Sequence, residues 1–591
     1  MKIVFTKNLS LEYQKKQDFE IKGTTLIKCN LNTEKIVVPD GVTIIGESSF
    51  EKSVAEEIVL PDGVKNIDNR AFLNCTQLRN INIPKTVEAI GDYAFCDCKK
   101  LRTMELPETL VTIGDFCFAG SGIESVNISS SVKTVGKGAF SNSNIEMIII
   151  PESVESLGDE TFMSCNNLKQ IVIKGKYVNI PNSFCKNDQK LESFDFSNVI
   201  TIGYCAFYEC TNLHLTIIPK NVTYVGDYAF AKTKAISNLK IENMAAFSNA
   251  VGAFEDSYVK SATLNMAYGI SIAAIPCSMF KFCRQLESVT FTGDIDALVK
   301  VGTSAFQRTD IREMVLPDKI FVIEDNAFGG CANLKAIKLS ERLEYLKENA
   351  FSHCYNLEKI DIPDNVKTIG NSCFRYCRSL KRVKYPSIVN FIPQDCFKEC
   401  TSLKSFNAEE IKVIGYGAFL KCYNLRSFRF SSVEQLGESA FAESGIENVA
   451  LSDKFCVTPG KYSAQNSFYG CMNLTSVDLR RCAKLDMIST NMFMNCKNLK
   501  NISLNESITS FHSFCFYNTG IKEINFPEET KFIDEDAFAC LKLDKATFSS
   551  SINTYCISIH SEAFHGSAIK ELVIPEDLYN AYKADIWNKI K

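Results

Sequence analysis

Cysteine is the most abundant residue here with intrinsic reactivity, at 25 copies in 591 residues. Thiolates attack, ligate metals and pair as disulfides. Twenty-five is odd, so they do not all pair within one chain. Small disulfide scaffolds are short and poor in core; this chain is long and 46% hydrophobic. Metal spacing is also missing. Cys96-x-Cys98 is too tight for a zinc pair, and Cys373 and Cys377 hold different places in one repeat. Cys556, His560 and His565 in "CISIHSEAFH" stand one ligand short of a closed zinc site, and only five histidines exist. No Gly-x-x-x-x-Gly-Lys-Ser/Thr loop and no Gly-x-Ser-x-Gly elbow occurs. Carboxylates are scattered and form no distinguished dyad. The chain reads as neither an enzyme nor a cofactor protein; a cysteine-based redox or metal-binding protein is the alternative of a different class.

A second constellation is electrostatic. Arg375, Arg378, Lys381, Arg382 and Lys384 place five positive charges in ten residues with no acid among them. The whole chain is nearly balanced, with 65 basic and 69 acidic residues. A dedicated nucleic-acid binder is strongly basic, so nucleic acid is not the expected partner. No run of about 18 apolar residues exists, so no membrane span is expected.

Both constellations belong to a repeat. Phenylalanine recurs at Phe50, Phe72, Phe95, Phe118, Phe140, Phe162, Phe184 and Phe207, and onward to Phe564, giving 23 anchors mostly 22 or 23 residues apart. Twelve units read Phe-x-x-Cys-x-x-Leu, such as Phe72, Cys75 and Leu78. Others shorten to Phe-x-x-Ser/Thr-x-Ile, such as Phe118, Ser121 and Ile123. Cysteine alternates with serine or threonine at one step, which reads as a small buried residue filling a core.

One unit follows from local rules. Leu-x-x-Ile-x-Ile alternates at its end and predicts a half-buried strand. Eleven of the 15 prolines follow such a strand, where a missing N–H ends the ladder. Val-x-x-Ile-Gly comes next. Its glycine is replaced by Asp68, Glu324 and Asp534, which argues for a helix N-cap rather than a strict positive φ. Acidic residues follow it (Asp92, Asp115, Asp159, Asp227, Asp325), as a helix start favours. Ala-Phe-x-x-Cys-x-x-Leu then predicts a short helical turn. A unit of one strand, one turn and one short helix cannot bury its apolar face alone, so the units stack.

These phrases resemble the BspA-type leucine-rich repeat, over roughly residues 24 to 575. The resemblance implies an α/β repeat fold: a curved leucine-rich-repeat solenoid with a parallel β-sheet on its concave face and short helical turns opposite. It also implies a surface adhesin binding proteins of a host or neighbouring cell. The N-terminus "MKIVFTKNLSLEYQKKQDFE" does not read as a secretory signal, which favours an intracellular location, whereas the resemblance points to the cell surface or secretion.

The expected organisation is an N-terminal cap at residues 1–23, an array of about 23 coils at 24–575, and a C-terminal capping helix at 576–591. The spacing is irregular around 231–305, which reads as a distorted joint between two arcs. At about 4.8 Å per coil, the stack is expected to run roughly 110 Å.

The function expected is non-enzymatic protein binding through the concave face, in adhesion or host contact, or as an intracellular scaffold or effector. Carbohydrate binding is a weaker alternative, because the concave positions are poor in Trp and Tyr. Lys384 lies between the inward positions Val383 and Tyr385 and shares its place with Lys338, Asp361, Asn407 and Arg429 on other coils. Lys404 and Arg426 extend the place of Lys381. The candidate partner-binding residues are therefore Arg375, Arg378, Lys381, Arg382, Lys384, Lys404, Arg426 and Arg429. A solvated face of alternating sign accounts for the same residues.

Overall fold

The computed structural model describes residues 18–176, 178–266, 274–408, 410–458, 460, 463–554 and 556–590. Most of the expected N-terminal cap lies outside them. The chain divides into two compact units, Met1–Ile272 with Pro276–Ala297, and Ala273–Ile275 with Leu298–Lys591. The division falls inside the stretch of irregular Phe spacing.

Most coils carry two short strands rather than one. The Leu-x-x-Ile-x-Ile phrase forms the first, as in Glu57–Val59 and Thr103–Glu105. The Ile-Gly phrase forms the second, as in Asn66–Ile67, Ala89–Ile90 and Thr112–Ile113. Strands of one kind pair in parallel with their counterparts on adjacent coils. An antiparallel hairpin, Phe19–Lys22 with Thr25–Cys29, opens the eight-stranded sheet of Ile-Gly strands in the first unit. The fold is a parallel β-solenoid with few helices.

The third side of the coil corrects the expected helical turn. The residues two before and two after the core Phe are both left-handed, for example Arg70 (φ 57°) and Asn74 (φ 60°) around Phe72. Each left-handed non-glycine residue costs roughly 1–2 kcal/mol. Alternating the hand flattens the turn and aims its N–H groups along the stack. Arg70, Phe72 and Asn74 donate to the carbonyls of Asp92, Ala94 and Cys96 on the next coil, at 2.7, 2.8 and 2.9 Å. A helix would direct those groups inside the coil and leave the next coil's carbonyls unpaired.

The other two helix signals have the same explanation. The Ile-Gly glycine caps nothing. A Cβ at Gly114 would lie 2.5 Å from the carbonyl carbon of Gly91, and one at Gly136 would lie 2.6 Å from that of Gly114, so these coils need a bare backbone there. The Asp or Asn that follows accepts from the next coil. Asn69 Oδ1 takes the Asp92 N–H at 2.8 Å, Asp92 Oδ1 that of Asp115 at 2.8 Å, and Asp115 Oδ1 that of Lys137 at 2.7 Å.

The core is a column of rings. Phe50, Phe72, Phe95, Phe118, Phe140 and Phe162 stack with near-parallel planes, their centroids 4.9 to 5.6 Å apart. The stack breaks at Phe184. In that coil the left-handed residues are Ser183 and Asn187, so the residue between them, Cys185, holds the Phe place and Phe184 the Ala place. Phe194 and Phe196 fill the gap edge-on against Phe207, at 5.0 and 5.4 Å.

The cysteine step is more than filling. Cys75, Cys165, Cys354 and Cys377 donate their thiols to the carbonyls of Phe50, Phe140, Phe328 and Phe351 on the preceding coil, at 3.0 to 3.2 Å. Ser257 and Ser567 donate to the carbonyls of Phe230 and Phe538, at 2.8 and 2.7 Å. Thr309 donates instead to the Phe306 carbonyl of its own coil, and the buried hydroxyls of Ser121 and Thr519 have no partner. The shared requirement is therefore a small side chain, and the bond to the preceding coil is added where Cys or Ser reaches it. All 25 thiols are free, 19 of them buried. Burial pushes the Cys331 thiol up to about 11 and that of Cys377 to about 12, so neither is a nucleophile near neutrality. In the shifted coil the step falls to Asp188. It is fully buried, accepts the Cys165 N–H at 2.7 Å through Oδ1, and has no hydrogen-bond partner for Oδ2. Desolvation raises its carboxyl well above the usual carboxylate range.

At the far end, a seven-residue helix, Glu576–Tyr582, gives way to turns and a short 3₁₀ segment, Trp587–Lys589. Trp587 is buried, with its ring 5.6 Å from Phe564 and 6.0 Å from Phe548.

Two stability predictions follow from the columns. Phe118→Ala should lower unfolding free energy by about 3–5 kcal/mol in urea titrations, as the cavity cannot collapse between stacked rings. Asp188→Cys should stabilise the protein, and the gain should depend on pH. The native carboxyl keeps its proton while the unfolded one loses it near pH 4. Stability is therefore lost as pH rises from about 4 towards the raised native pKa. The urea midpoint should rise clearly at pH 8 and little at pH 3.5; equal gains at both would show that Asp188 ionises without penalty.

Candidate functional site

Along each Leu-x-x-Ile-x-Ile strand, one residue points into the core and its two neighbours point out. Register aligns the outward residues into two columns per unit. In the first unit one column runs Lys35, Glu57, Asn80, and the neighbouring pairs Thr103–Ser125 and Met147–Gln170 follow the same pattern. An open depression of about 980 Å³ lies over this face, lined by outward residues that include Asn80, Asn82, Thr103, Ser125, Asn127 and Ile149. Most of its outward residues are uncharged. Asn82 is already engaged: its side chain accepts from the Leu60 N–H at 2.7 Å and donates to the Leu60 carbonyl at 2.9 Å. A second depression, of about 580 Å³, lies over the same kind of strand in the second unit, lined by residues such as Asn501, Ser503, Glu523 and Asn525. Charge and reactivity did not point to these surfaces. The signal available in the sequence was the run of Asn, Ser and Thr beside the inward Ile, visible only once coils are aligned.

The basic residues are distributed over two sides of the coil. Lys381, Arg382 and Lys384 are exposed on and beside the strand Arg382–Lys384. Asp361, Lys384 and Asn407 are register partners, as are Lys359, Arg382 and Ser405. The Lys404 N–H donates to the Lys381 carbonyl, so those two share a column. Arg375 and Arg378 instead lie by the left-handed turn. The Arg378 guanidinium sits 5.4 Å from the Tyr355 ring centroid and 5.7 Å from that of Tyr376. Arg375 packs over Tyr376 at 4.9 Å and approaches Asp395 at 3.9 Å.

The absence of acids from the basic stretch is only local. Lys381 pairs with Glu358 at 2.9 Å, Arg382 with Asp361 at 3.4 Å, Lys384 with Asp364 at 2.9 Å, Arg378 with Glu399 at 3.3 Å, and Arg426 with Glu447 at 3.7 Å. Each acid comes from a neighbouring coil, about one repeat away. These hydrogen-bonded lysines hold the Glu358 and Asp364 carboxyls below their usual range. Lys404 and Arg429 are exposed, with no ion pair among the described residues. Tyr385 is buried, donating its hydroxyl to the Phe391 carbonyl at 2.7 Å, so it offers nothing to a partner.

The histidine constellation near the C-terminus is engaged locally. His565 Nδ1 contacts the Glu562 carboxylate at 2.7 Å, and His560 Nδ1 accepts the Glu562 N–H at 3.3 Å. Among the described residues, no group of three or more His, Cys, Asp or Glu side chains is arranged to hold a metal. No helix among them is long and apolar enough to cross a membrane.

Comparison with known proteins identifies the repeat. Among solved structures, a leucine-rich cell surface protein from Faecalibacterium prausnitzii is 21% identical, over 65% of this chain and 90% of that one, with a TM-score of 0.27. A leucine-rich repeat protein from Bacteroides ovatus is 20% identical, over 93% of this chain and 94% of that one, with a TM-score of 0.21. The pneumococcal vaccine antigen PcpA is 15% identical, over 94% and 95%, with a TM-score of 0.28. No curated protein matches. The sequence model of the BspA-type leucine-rich repeat region matches in overlapping windows from residues 20–146 to 461–588. With those windows spanning nearly the whole length, the chain belongs to the BspA-type leucine-rich repeat family.

Proposed function

We propose that this chain is a non-enzymatic protein-binding protein that engages its partner through the outward columns of the Leu-x-x-Ile-x-Ile strands, in adhesion or contact with a host or neighbouring cell. The observation that carries this reading is the depression of about 980 Å³ in the first unit, an open, weakly charged surface shared by several coils. Its breadth suits a protein segment better than a small molecule, which prefers an enclosed site. Stacked coils supply a rigid backbone there, so binding spends little on ordering the receptor.

The basic columns of the second unit are a further part of the proposed surface. Their charges are exposed, and those of Lys381, Arg382 and Lys384 are already paired; such pairs contribute about 0–1 kcal/mol each to stability. A partner carboxylate can exchange for Glu358, Asp361 or Asp364 at small cost, which makes this contact selective and salt-sensitive rather than strong.

A second reading, an intracellular scaffold, is favoured by Cys277, Cys540 and Cys556, three exposed free thiols. Exposed unpaired thiols persist best in a reducing compartment.

Two variants test the binding surface. Thr103→Arg with Ser125→Arg introduces bulk and charge into the depression and should abolish partner capture while leaving the thermal midpoint nearly unchanged. Lys381→Glu, Arg382→Glu and Lys384→Glu together should remove the salt-sensitive part of the affinity. Undiminished capture by both variants sinks the sheet-face reading. Thiol titration addresses the redox alternative: Ellman's reagent should react rapidly with the three exposed cysteines and reach the buried ones only after unfolding.

A further inference from the structure

The turn side of the second unit holds a pocket of about 570 Å³, whose lining includes Tyr423, Glu443, Tyr469, Met472, Asn495 and Lys497. Tyr423 and Met472 are each nearly half exposed. Among the described residues no lysine or arginine stands within ion-pair distance of the Glu443 carboxylate. Asn495 donates to the Tyr469 hydroxyl at 3.4 Å, and Asn518 donates to Asn495 Oδ1 at 2.8 Å, which steadies one wall.

Elsewhere in the chain, at other coil positions, a cation meets a tyrosine ring and a glutamate together. In the first unit Glu209, two residues after its core Phe, pairs at 3.3 Å with Lys232, the same position one coil later. The Lys232 ammonium also lies 4.9 Å from the Tyr208 ring centroid. In the second unit Tyr355, one residue after its cysteine step, carries Arg378, the same position one coil later. Arg378 in turn meets Glu399. Both arrangements place a cation between a tyrosine ring and a glutamate, the combination that rewards a partly desolvated cation.

At the pocket both cation positions are glycine. The coil position after Glu443, which holds Lys232 in the first comparison, is Gly470. The coil position after Tyr423, which holds Arg378 in the second, is Gly445, on a shortened Phe-x-x-Ser-x-Ile coil. A Cβ at Gly445 would lie 2.2 Å from the Tyr423 carbonyl oxygen, the same close backbone approach as at Gly122 and Gly520, and one at Gly470 would meet the Glu443 Cγ at 3.4 Å. Neither place carries a side chain, so the Tyr423 hydroxyl and the Glu443 carboxylate face each other with no cation from those positions. Lys497, two coils beyond Glu443, lies at the far end of the pocket.

We propose that this pocket receives a lysine or arginine side chain from a protein partner, its charged head between Tyr423 and Glu443 and its aliphatic stem along Met472 and Tyr469. The site is on the turn side and does not depend on the sheet-face reading above.

The test uses the full chain labelled with ¹³C at its methionine methyls, with the Met472 signal assigned by Met472→Leu. The probes are Nα-acetyl-lysine amide, Nα-acetyl-arginine amide and the uncharged Nα-acetyl-norleucine amide. The basic probes should move the Met472 signal saturably in the millimolar range, and the norleucine probe should bind at least about tenfold more weakly. Glu443→Gln and Tyr423→Leu should each weaken the basic probes by about tenfold, with circular dichroism unchanged. No saturable shift, equal binding of the norleucine probe, or unchanged affinity in a folded Glu443→Gln protein overturns the proposal. If Glu443→Gln fails to fold, Tyr423→Leu and the norleucine comparison decide it.

Discussion

The hydrogen bonds that run from coil to coil on the turn side constrain everything else. Arg70, Phe72 and Asn74 can reach the carbonyls of Asp92, Ala94 and Cys96 only if the backbone alternates between left- and right-handed residues. That alternation is strained, and it persists because each coil is held by the next. Once the turn is flat, the core Phe projects inward at a fixed height, and successive rings stack at about one coil spacing. The carbonyl of the core Phe, which already accepts the N–H three residues on, then lies beside the small-residue step of the next coil, where a thiol such as that of Cys75 adds a second bond. Ring column, small-residue column and glycine column are three consequences of one backbone geometry.

Much of this was legible in the sequence, because stacking repeats its requirements every coil. Phe, Cys, Leu and Ile-Gly recur, and from them a stacked solenoid follows without a structure. The local conformation of the turn was not legible. Ala-Phe-x-x-Cys has the i, i+3 spacing of a helix face, and a glycine followed by Asp has the look of a helix start. Both patterns were set instead by the neighbouring coil: the glycine by close backbone approach, and Asp92 or Asp115 by an N–H one repeat away. A reading confined to neighbours in sequence has no access to that partner. The frame error at Phe184 has the same origin, since only the left-handed residues Ser183 and Asn187 reveal that Cys185 holds the ring position.

The candidate site shows the limit in electrostatic form. Five positive charges in ten residues look like a patch, yet their counter-charges arrive from about one repeat away. Coulombic energy depends on distance in space, and exposed pairs at about 3 Å are worth little while still neutralising one another's field. Arg375 and Arg378 also part company from Lys381, Arg382 and Lys384, because the coil turns a corner between them. The depression over the first unit went unseen for the opposite reason: Asn80, Thr103 and Ser125 carry no charge and stand more than 20 residues apart in the chain, although they line one surface.

A repeat also supplies its own control experiment. Where a position is the same in many coils, stacking explains it, and no function need be invoked. Information beyond the fold lies in coils that depart from the pattern while remaining ordered. Asp188 departs in the core, where it puts a buried carboxyl with an unpaired oxygen at a step that other coils fill with Cys, Ser or Thr. The second departure is on the surface: glycine stands at the places of Gly445 and Gly470 on other coils too (Gly122 and Gly520, Gly120 and Gly330), so stacking accounts for it, and what is particular is the presence of Tyr423, Met472 and Glu443 beside them. The first departure weakens the stack locally and offers nothing to a partner. The second leaves the packed core intact and brings a ring, a thioether and a carboxylate together, a combination that stacking does not require. Departures of the second kind are where a uniform solenoid acquires a particular partner, and they are found by comparing each coil with its neighbours rather than by scanning the chain for reactive residues.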